Sequence, residues 1–388
     1  MTGATLALRN VWRNRFRAAL TALGVAVTVL TFVLLRTIIW AYTMGAEVAA
    51  KDRVVTRHKI TFVMPLPKRY ADSVRAEPGV TRATWANWFG GKDPKHENEF
   101  FSTLAVDPKT YFEVYDEMRL PAGQLEAFQQ DRRGAIVGDV IARKLGWKVG
   151  DKVSLASQIF PGDWEFHVVG IYEATRKSVD RSQFIFHFDY LNESLPVARR
   201  DQIGWVISRV SDPGRTADIG RAIDQTFDEK DVQTISQSEG AFNASFLGMF
   251  SAVLRAIDVV SLAILLVMML ILGNTVAMGV RERTHEYGTM RAIGFLPRHV
   301  AWLVFGEALA TGAIGGLLGL ALAYPIVEKG MGRYIEENMG GFFPYFQIAP
   351  ATAALALGLA LALGALAALV PAYQASRLNV VDALRRVA

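Results

Sequence analysis

Two histidine–glutamate pairs, His96-Glu97 and His285-Glu286, are the residues of this chain that could begin a zinc-binding helix. Such a helix needs a second histidine four positions after the first, so that both imidazoles face one metal ion. Phe100 and Thr289 stand at those positions. Gly90-Gly91-Lys92 lacks the spacing of a nucleotide-binding phosphate loop, and no Gly-x-Ser-x-Gly nucleophile turn occurs. The sequence therefore predicts a chain that is not an enzyme, with no catalytic residue, no metal ligand and no bound cofactor.

A short charged segment, residues 281–299, has the spacing of an amphipathic helix that could bind another protein or a membrane surface. Tyr287, Met290 and Ile293 fall on one side of it, while Glu282 and Glu286 lie one turn apart. A glycine and a proline follow, and they are expected to end this helix and to begin the next. A basic helix lying on lipid headgroups is one alternative. The two glutamates would repel anionic lipid, which favours docking of a protein.

The positions of these residues depend on four long apolar segments. Of the 388 residues, 51% are hydrophobic and only 20% are charged, which is fewer charges than most soluble proteins carry. Each apolar segment has about the length that a helix needs to cross a hydrocarbon layer of roughly 30 Å. We therefore predict an α-helical membrane protein with four transmembrane helices. The predicted spans are residues 18–44, 246–280 including a helical stalk, 300–327 and 349–371.

Basic residues in the short loops predict the orientation of these spans, since such loops stay in the cytoplasm. An amphipathic N-terminal arm, residues 1–17, carries four arginines and no acid. The loop 281–299 and the tail 372–388 are also rich in arginine, whereas the loop 328–348 has more acids than bases. We therefore predict a multi-pass protein of the inner membrane with both termini in the cytoplasm. The insert, residues 45–245, is then extracytoplasmic.

The insert between the first and second spans is long enough to form a mixed α/β domain with its own core. Short apolar runs predict strands at Lys59–Met64, Val80–Trp88 and Phe100–Val106. A β-rich insertion near residues 107–200 interrupts this domain. Ser238–Ile257 is less polar than a linker and is expected to form a helical stalk that continues into the second span.

Glu307 is expected about two turns inside the third span, where an ionised carboxylate is costly. A proton relay or an ion site is one interpretation. The other is a structural carboxylate that is protonated or hydrogen-bonded to a neighbouring span or a second copy. The same span carries Gly312, Gly315, Gly316 and Gly319 at spacings that let helices approach closely. That close contact could form within the chain or at the seam of a dimer.

An apolar loop in the insert is a candidate contact site for an extracytoplasmic partner. Residues 158–164 include Phe160, Pro161 and Trp164. If these side chains are exposed, they could bind a protein. The alternative is a loop whose aromatic rings cover the local core.

Three separated motifs give this chain a resemblance to MacB- and FtsX-type ABC transporter permeases. The family's cytoplasmic coupling pattern is matched by Arg283, Glu286, Gly288, Arg291, Ala292 and Gly294. Residues 8–25 resemble its first helix and residues 371–385 its C-terminal segment, although Val380 and Gln374 depart from the usual residues. The resemblance implies that an ATPase contacts the coupling segment through Glu282, Arg283, Glu286, Tyr287, Gly288, Met290, Arg291 and Gly294.

The resemblance also implies the fold of the insert and the partners of the chain. The insert would be a MacB-like periplasmic core domain. ATP and Mg²⁺ would bind a separate ABC ATPase subunit, because this chain has no phosphate loop. A second permease copy or a paralogue would complete a dimer, and a periplasmic adaptor or carrier could join it. The lipid bilayer is expected as a partner, and nucleic acid is not.

Export of hydrophobic compounds or peptides, powered by that ATPase, is the leading function that the resemblance implies. The spans offer few polar groups to line a pore, which favours mechanical work outside the membrane. A lipoprotein-releasing permease of the LolC/LolE kind and an FtsX-like regulator of a cell-wall hydrolase are alternatives. A membrane receptor that works without an ATPase is a further one. The proteins that copurify with the chain would distinguish them.

Overall fold

The computed structural model describes residues 15–176, 179–248, 251–338 and 343–379. The predicted arm before residue 15 and the predicted tail from Val380 onward lie outside these ranges. The chain divides into two compact units. The first unit contains the residues up to 40, residues 250–333 and those from 346 onward, and the second contains residues 41–249 and 334–345.

Four helices in the described ranges are long and apolar enough to cross a membrane. Their bounds are Arg15–Glu47, Ser251–Glu282, Pro297–Tyr324 and Pro350–Ser376. The third helix is followed by a π-helical segment, Pro325–Gly332, and a short helix, Arg333–Asn338. Proline starts both the third and the fourth helix, where its missing N–H costs no hydrogen bond.

Glycines on the third span pack against the first and fourth spans of the same chain. A Cβ added to Gly312 would lie 2.8 Å from the carbonyl oxygen of Ala360. One added to Gly315 would lie 2.5 Å from Cβ of Val25, and one added to Gly319 would lie 2.7 Å from the carbonyl oxygen of Ala26 on the same span. Glycine is needed for such close helix contact. In the structure, these glycines therefore form helix contacts within the chain, which is the first of the two alternatives given above.

A mixed β-sheet forms the centre of the second unit. Its strands and those of a separate two-stranded pair are numbered along the chain as β1 Arg53–His58, β2 Leu66–Pro67, β3 Val80–Trp88, β4 Gly91–Lys92, β5 Ser102–Val106, β6 Met118–Arg119, β7 Gly134–Gly138, β8 Lys152–Ser157, β9 Trp164–Ala174, β10 Gln183–His187, β11 Gln202–Ile203, β12 Trp205–Val210 and β13 Thr234–Ser238. The order across the sheet is β13-β1-β12-β3-β5-β10-β7-β9-β8-β4, and β6 also pairs with β9. β2 and β11 form a separate two-stranded sheet. β10 is parallel to β5 and β9 to β7, whereas the other pairs are antiparallel.

Apolar side chains are buried on both faces of this sheet. Successive strand residues point to opposite faces, so Phe184 and Phe186 enter one core cluster and Ile185 enters the other. The helices of the second unit are Tyr70–Arg75, Tyr111–Val114, Gln124–Gln130, Asp139–Leu145, Phe188–Ser194, Thr216–Phe227 and Glu239–Gly248, with 3₁₀ turns at Val197–Arg199 and Pro213–Arg215. The predicted fold class, four membrane helices with a mixed α/β domain after the first, is confirmed.

The first strand of the sheet is not where the apolar pattern predicted it. Lys59–Met64 forms no strand, and β1 lies just before it. β1 begins and ends with the buried residues Arg53 and His58. Because a charged residue and a histidine occupy buried positions, β1 lacks the apolar alternation on which the prediction depended.

Residues 107–200, predicted to form a β-rich insertion, add strands to the same sheet. β10, β7, β9 and β8 extend it in that order beyond β5. Where the stalk was predicted, a helix, Glu239–Gly248, follows β13. Residues 249 and 250, between that helix and the second span, lie outside the described ranges.

Candidate functional site

The charged loop between the second and third spans forms a nine-residue helix, Thr284–Ala292, called the loop helix below. Arg283 is its N-cap residue. Gly294 follows the helix with a φ of 103°, a left-handed conformation that glycine adopts without strain. The third span begins at Pro297. Short connections therefore join the loop helix to a span at each end.

One side of the loop helix is buried against three spans. Tyr287 is 2% exposed and belongs to an apolar cluster with Val280 of the second span. The same cluster includes Val300 and Val304 of the third span and Ala372 of the fourth. Burial raises the pKa of the Tyr287 phenol, so the ring remains neutral at physiological pH.

Arg283 and Glu307, both selected from the sequence for different reasons, form an ion pair. Nη1 of Arg283 donates to Oε2 of Glu307 at 2.6 Å. Arg283 is 8% exposed, and a buried charge without a partner would be strongly destabilising. Glu307 is thus tied to the start of the loop helix. This contact corresponds to the structural one of its two interpretations.

Two more contacts of charged side chains connect residues 281–299, called the loop segment below, to the fourth and first spans. Nη1 of Arg291 donates to the carbonyl oxygen of Ser376 at 2.8 Å, at the C-terminal end of the fourth span. A cation at that end also compensates the partial negative charge of the helix terminus. Arg17 on the first span forms an ion pair with Glu282 at the end of the second. The loop segment therefore contacts the first, third and fourth spans through charged groups.

The eight predicted coupling residues differ in how accessible they are. Arg283, Tyr287 and Gly288 are buried, Glu286, Met290 and Arg291 are partly buried, and Glu282 and Gly294 are exposed. In this conformation, a second protein could touch the buried three only after the loop helix moved. Contact of all eight with an ATPase stays a prediction.

The accessible apolar surface of this segment was not identified from helical spacing. The spacing predicts Ile293 on the same side as Tyr287, yet Ile293 is 72% exposed. The loop helix ends one residue earlier and the chain turns at Gly294, so the helical period no longer applies. Phe295 and Leu296 follow and are also exposed. These three residues, 293, 295 and 296, are called the apolar corner below.

The aromatic loop of the second unit is mostly part of its core. Phe160 and Trp164 are buried, and the ring of Phe160 stacks on Phe89 with 5.8 Å between the centroids. Nε1 of Trp164 donates to the carbonyl oxygen of Phe160 at 2.8 Å. Pro161 is exposed between them. The aromatic rings therefore cover the local core, which is the second of the two alternatives.

The second unit contains a buried cluster of charged residues that the sequence did not predict, because its members are far apart in the chain. Arg53 forms ion pairs with Glu117 and with Glu239, each at 2.9 Å. Its guanidinium lies 4.4 Å from the ring centroid of Tyr115. Burial lowers the pKa of Arg53, but Tyr115 and the two glutamates outweigh it, so that the pKa is raised. The cluster joins the first strand after the first span to the last helix before residue 249.

Within the residues that the structure describes, no group of three or more histidine, aspartate or glutamate side chains is arranged to hold a metal ion. His96 contacts Asp93 at 2.7 Å, and His167 contacts Asp131 at 2.8 Å. Each histidine contact thus joins the ring to a neighbouring turn or loop.

Two family models match this chain. Residues 18–226, more than half of the chain, match the model described as the MacB-like periplasmic core domain. Residues 259–380 match the model described as FtsX-like permease C-terminal. The second match contains most of the second span, the loop helix and the third and fourth spans.

Individual relatives differ in how much of their length is shared. An uncharacterized ABC transporter permease of Methanocaldococcus jannaschii is 22% identical, over 98% of this chain and 97% of the relative. The pyoverdine export ATP-binding/permease protein PvdT of Pseudomonas fluorescens is 26% identical, over 97% of this chain and 58% of the relative. The macrolide export ATP-binding/permease protein MacB of Campylobacter fetus is 35% identical, over 29% of this chain and 16% of the relative. The chain thus spans less than two thirds of the two export proteins.

Proposed function

Because this chain belongs to the family of MacB- and FtsX-type ABC transporter permeases, we propose that a separate ABC ATPase drives it to do work outside the cytoplasm. It is a multi-pass membrane permease with a MacB-like periplasmic core domain. In our proposal, the ATPase binds the loop segment and hydrolyses ATP with its own Mg²⁺. The chain converts the resulting movement into displacement of its spans.

Attachment of the loop helix to the third and fourth spans carries this proposal. Tyr287 is packed against both spans, Arg283 pairs with Glu307, and Arg291 binds the end of the fourth span. Because protein interiors are closely packed, they transmit strain from one element to the next. A force on the loop helix must therefore move the ends of these spans or break buried contacts.

The apolar corner offers a surface for the ATPase. Its three large apolar side chains are exposed, and the exposed residues Arg281, Glu282 and His285 lie nearby in the chain. An apolar centre with a polar rim is the composition of many protein interfaces. We propose that this corner contacts the ATPase, while the buried coupling residues pass the movement on.

We further propose that the loop helix and both termini face the cytoplasm and that the second unit is extracytoplasmic. Movement would then enter the second unit through the chain itself. Segment 48–52 leads from the first span into β1, where Arg53 pairs with Glu239 of the last helix before residue 249. A relative shift of the first and second spans would therefore pull on the ion pair between Arg53 and Glu239.

Export of hydrophobic compounds or peptides is the specific role that we propose. Support comes from relatives that are named for macrolide export and for pyoverdine export. A second permease copy and a periplasmic adaptor are the proposed partners besides the ATPase. The other proposed roles would require a lipoprotein carrier or a cell-wall hydrolase instead.

Substitution Ile293→Asp tests the proposed docking surface in the full chain, purified in mild detergent from its native membranes. A charge at the centre of an interface is expected to reduce the amount of copurifying ABC ATPase about tenfold. The ATPase is identified by peptides of its own phosphate loop. Val197→Asp is the matched control, since Val197 is 80% exposed on the second unit. This variant should retain the ATPase.

Retention of the ATPase by Ile293→Asp, with unchanged ATP hydrolysis, would place the docking surface elsewhere. If the unaltered chain yields no ABC ATPase at all, the chain is a receptor and the proposed function is wrong. Copurification of an ATPase together with a lipoprotein carrier would replace export by lipoprotein release.

A further inference from the structure

The second unit contains a large cavity beside its central sheet. Its volume is about 670 Å³. Small-molecule sites in proteins measure about 300–1,000 Å³, so the cavity has room for a drug-sized compound. Its lining residues all belong to the second unit. Val55 of β1, Ala86 of β3, Leu104 of β5 and Ile207 of β12 form the floor, on one face of the sheet.

Aromatic rings in the wall of this cavity remain partly exposed. They belong to Trp88, Tyr115, Trp205 and Phe242. The rings of Trp205 and Phe242 lie 6.0 Å apart at an angle of 41°. Aromatic side chains gain much of their stabilising energy from burial, and here part of that area is open. The wall can therefore contribute apolar contact to a ligand.

The charged groups of the lining balance one another. Arg53 and Arg199 are matched in number by Glu239 and Asp180. Arg53 is already bound to Glu117 and Glu239, so its charge is neutralised within the protein. Other polar side chains of the lining are neutral amides and hydroxyls, among them Asn87, Ser102, Gln183, Gln202 and Asn243. Neither an anion nor a cation is favoured by this balance.

We propose that this cavity binds an uncharged, drug-sized compound whose apolar skeleton carries hydroxyl, ester or amide groups. Amide side chains both donate and accept hydrogen bonds, so they can donate to the oxygen atoms of such groups or accept from their O–H and N–H groups. Oε1 of Gln183 is buried and accepts no hydrogen bond within the described residues, which leaves an acceptor for a ligand hydroxyl. Binding itself is independent of the proposed export function. The use of this site to recognise cargo rests on that function.

The lining includes chain segments that lead to the spans. Tyr42 lies near the end of the first span helix, Phe242 lies in the last helix before residue 249, and Pro344 lies between the third and fourth spans. A bound compound would therefore contact three connections to the membrane helices. Binding of a compound in the cavity would in this way affect the positions of the segments that connect the second unit to the spans.

Three benzophenone photoprobes can test both the site and its charge preference. They share one apolar skeleton and end in a neutral amide, a carboxylate or a trimethylammonium group. The full chain in lipid nanodiscs is irradiated with each probe, and the labelled peptides are mapped by mass spectrometry. We expect the amide probe to give saturable labelling of residues 84–88, 202–207 or 239–243. The two charged probes should label these peptides at least about fivefold less.

Two alanine variants complete the test. Trp205→Ala removes one ring from the wall and should reduce labelling by the amide probe about fivefold. Trp147→Ala is the matched control, because Trp147 is also partly buried in the second unit but does not line the cavity. Equal labelling by the three probes, or an unchanged signal in Trp205→Ala, would overturn the proposal. So would labelling confined to the spans, which would indicate partition of the probe into lipid. A failure to copurify an ATPase would contradict only the proposed function.

Discussion

Arg283 and Glu307 decide whether the loop helix is held in place. Arg283 is buried and Glu307 is partly buried, so removal of one partner would leave the other charge without compensation. We expect Arg283→Met and Glu307→Leu each to lower the free energy of unfolding by about 3 kcal/mol. The measurement is unfolding of the purified chain in mixed micelles with increasing dodecyl sulfate.

The double variant Arg283→Met/Glu307→Leu should lose less than the sum of the two single variants. An apolar pair of similar volume leaves no uncompensated charge, so the two effects are not additive. Additive losses would contradict a direct interaction between the two side chains. Each residue could be selected from the sequence, but their pairing could not. It depends on the turn at Gly294, which brings the third span back against the start of the loop helix.

Close packing of the third span between the first and the fourth is a property of whole elements. A Cβ at Gly315 would meet Cβ of Val25 at 2.5 Å, so Gly315→Val must push the two helices apart. Overpacking of this kind costs about 1–3 kcal/mol, which we expect as a loss in the free energy of unfolding. Gly358→Val on the fourth span is the matched control, since nothing lies within 4 Å of a Cβ there. Equal losses in both variants would contradict a specific helix contact.

The elements were predictable where a single signal dominated. Val80–Trp88 has a strand pattern, and this strand occurs in the structure with the predicted bounds. β1 was missed because Arg53 and His58 are buried in it, and the ion-pair partners of Arg53 lie far along the chain. For the same reason, the Arg53 cluster and the cavity beside it could not be read from local spacing.

At the scale of the whole molecule, the sidedness of the two units determines every proposed role. The sequence contains no cysteine, so single cysteines can be introduced without removing native ones. Ile293 and Val197 are suitable positions, because they are 72% and 80% exposed in the first and second units. Both side chains are surface aliphatic groups, and their replacement should leave the fold unchanged.

Intact cells that carry Val197→Cys should react with a maleimide that cannot cross the membrane, whereas cells that carry Ile293→Cys should not. After permeabilisation with detergent, both variants should react to a similar extent. The physical reason is that arginine-rich short loops stay in the cytoplasm, while a long domain can be exported regardless of its charge. If Ile293→Cys reacts in intact cells and Val197→Cys is protected, the ATPase could not reach the loop helix. The apolar corner would then face extracytoplasmic partners, and the coupling mechanism proposed for this chain would be excluded.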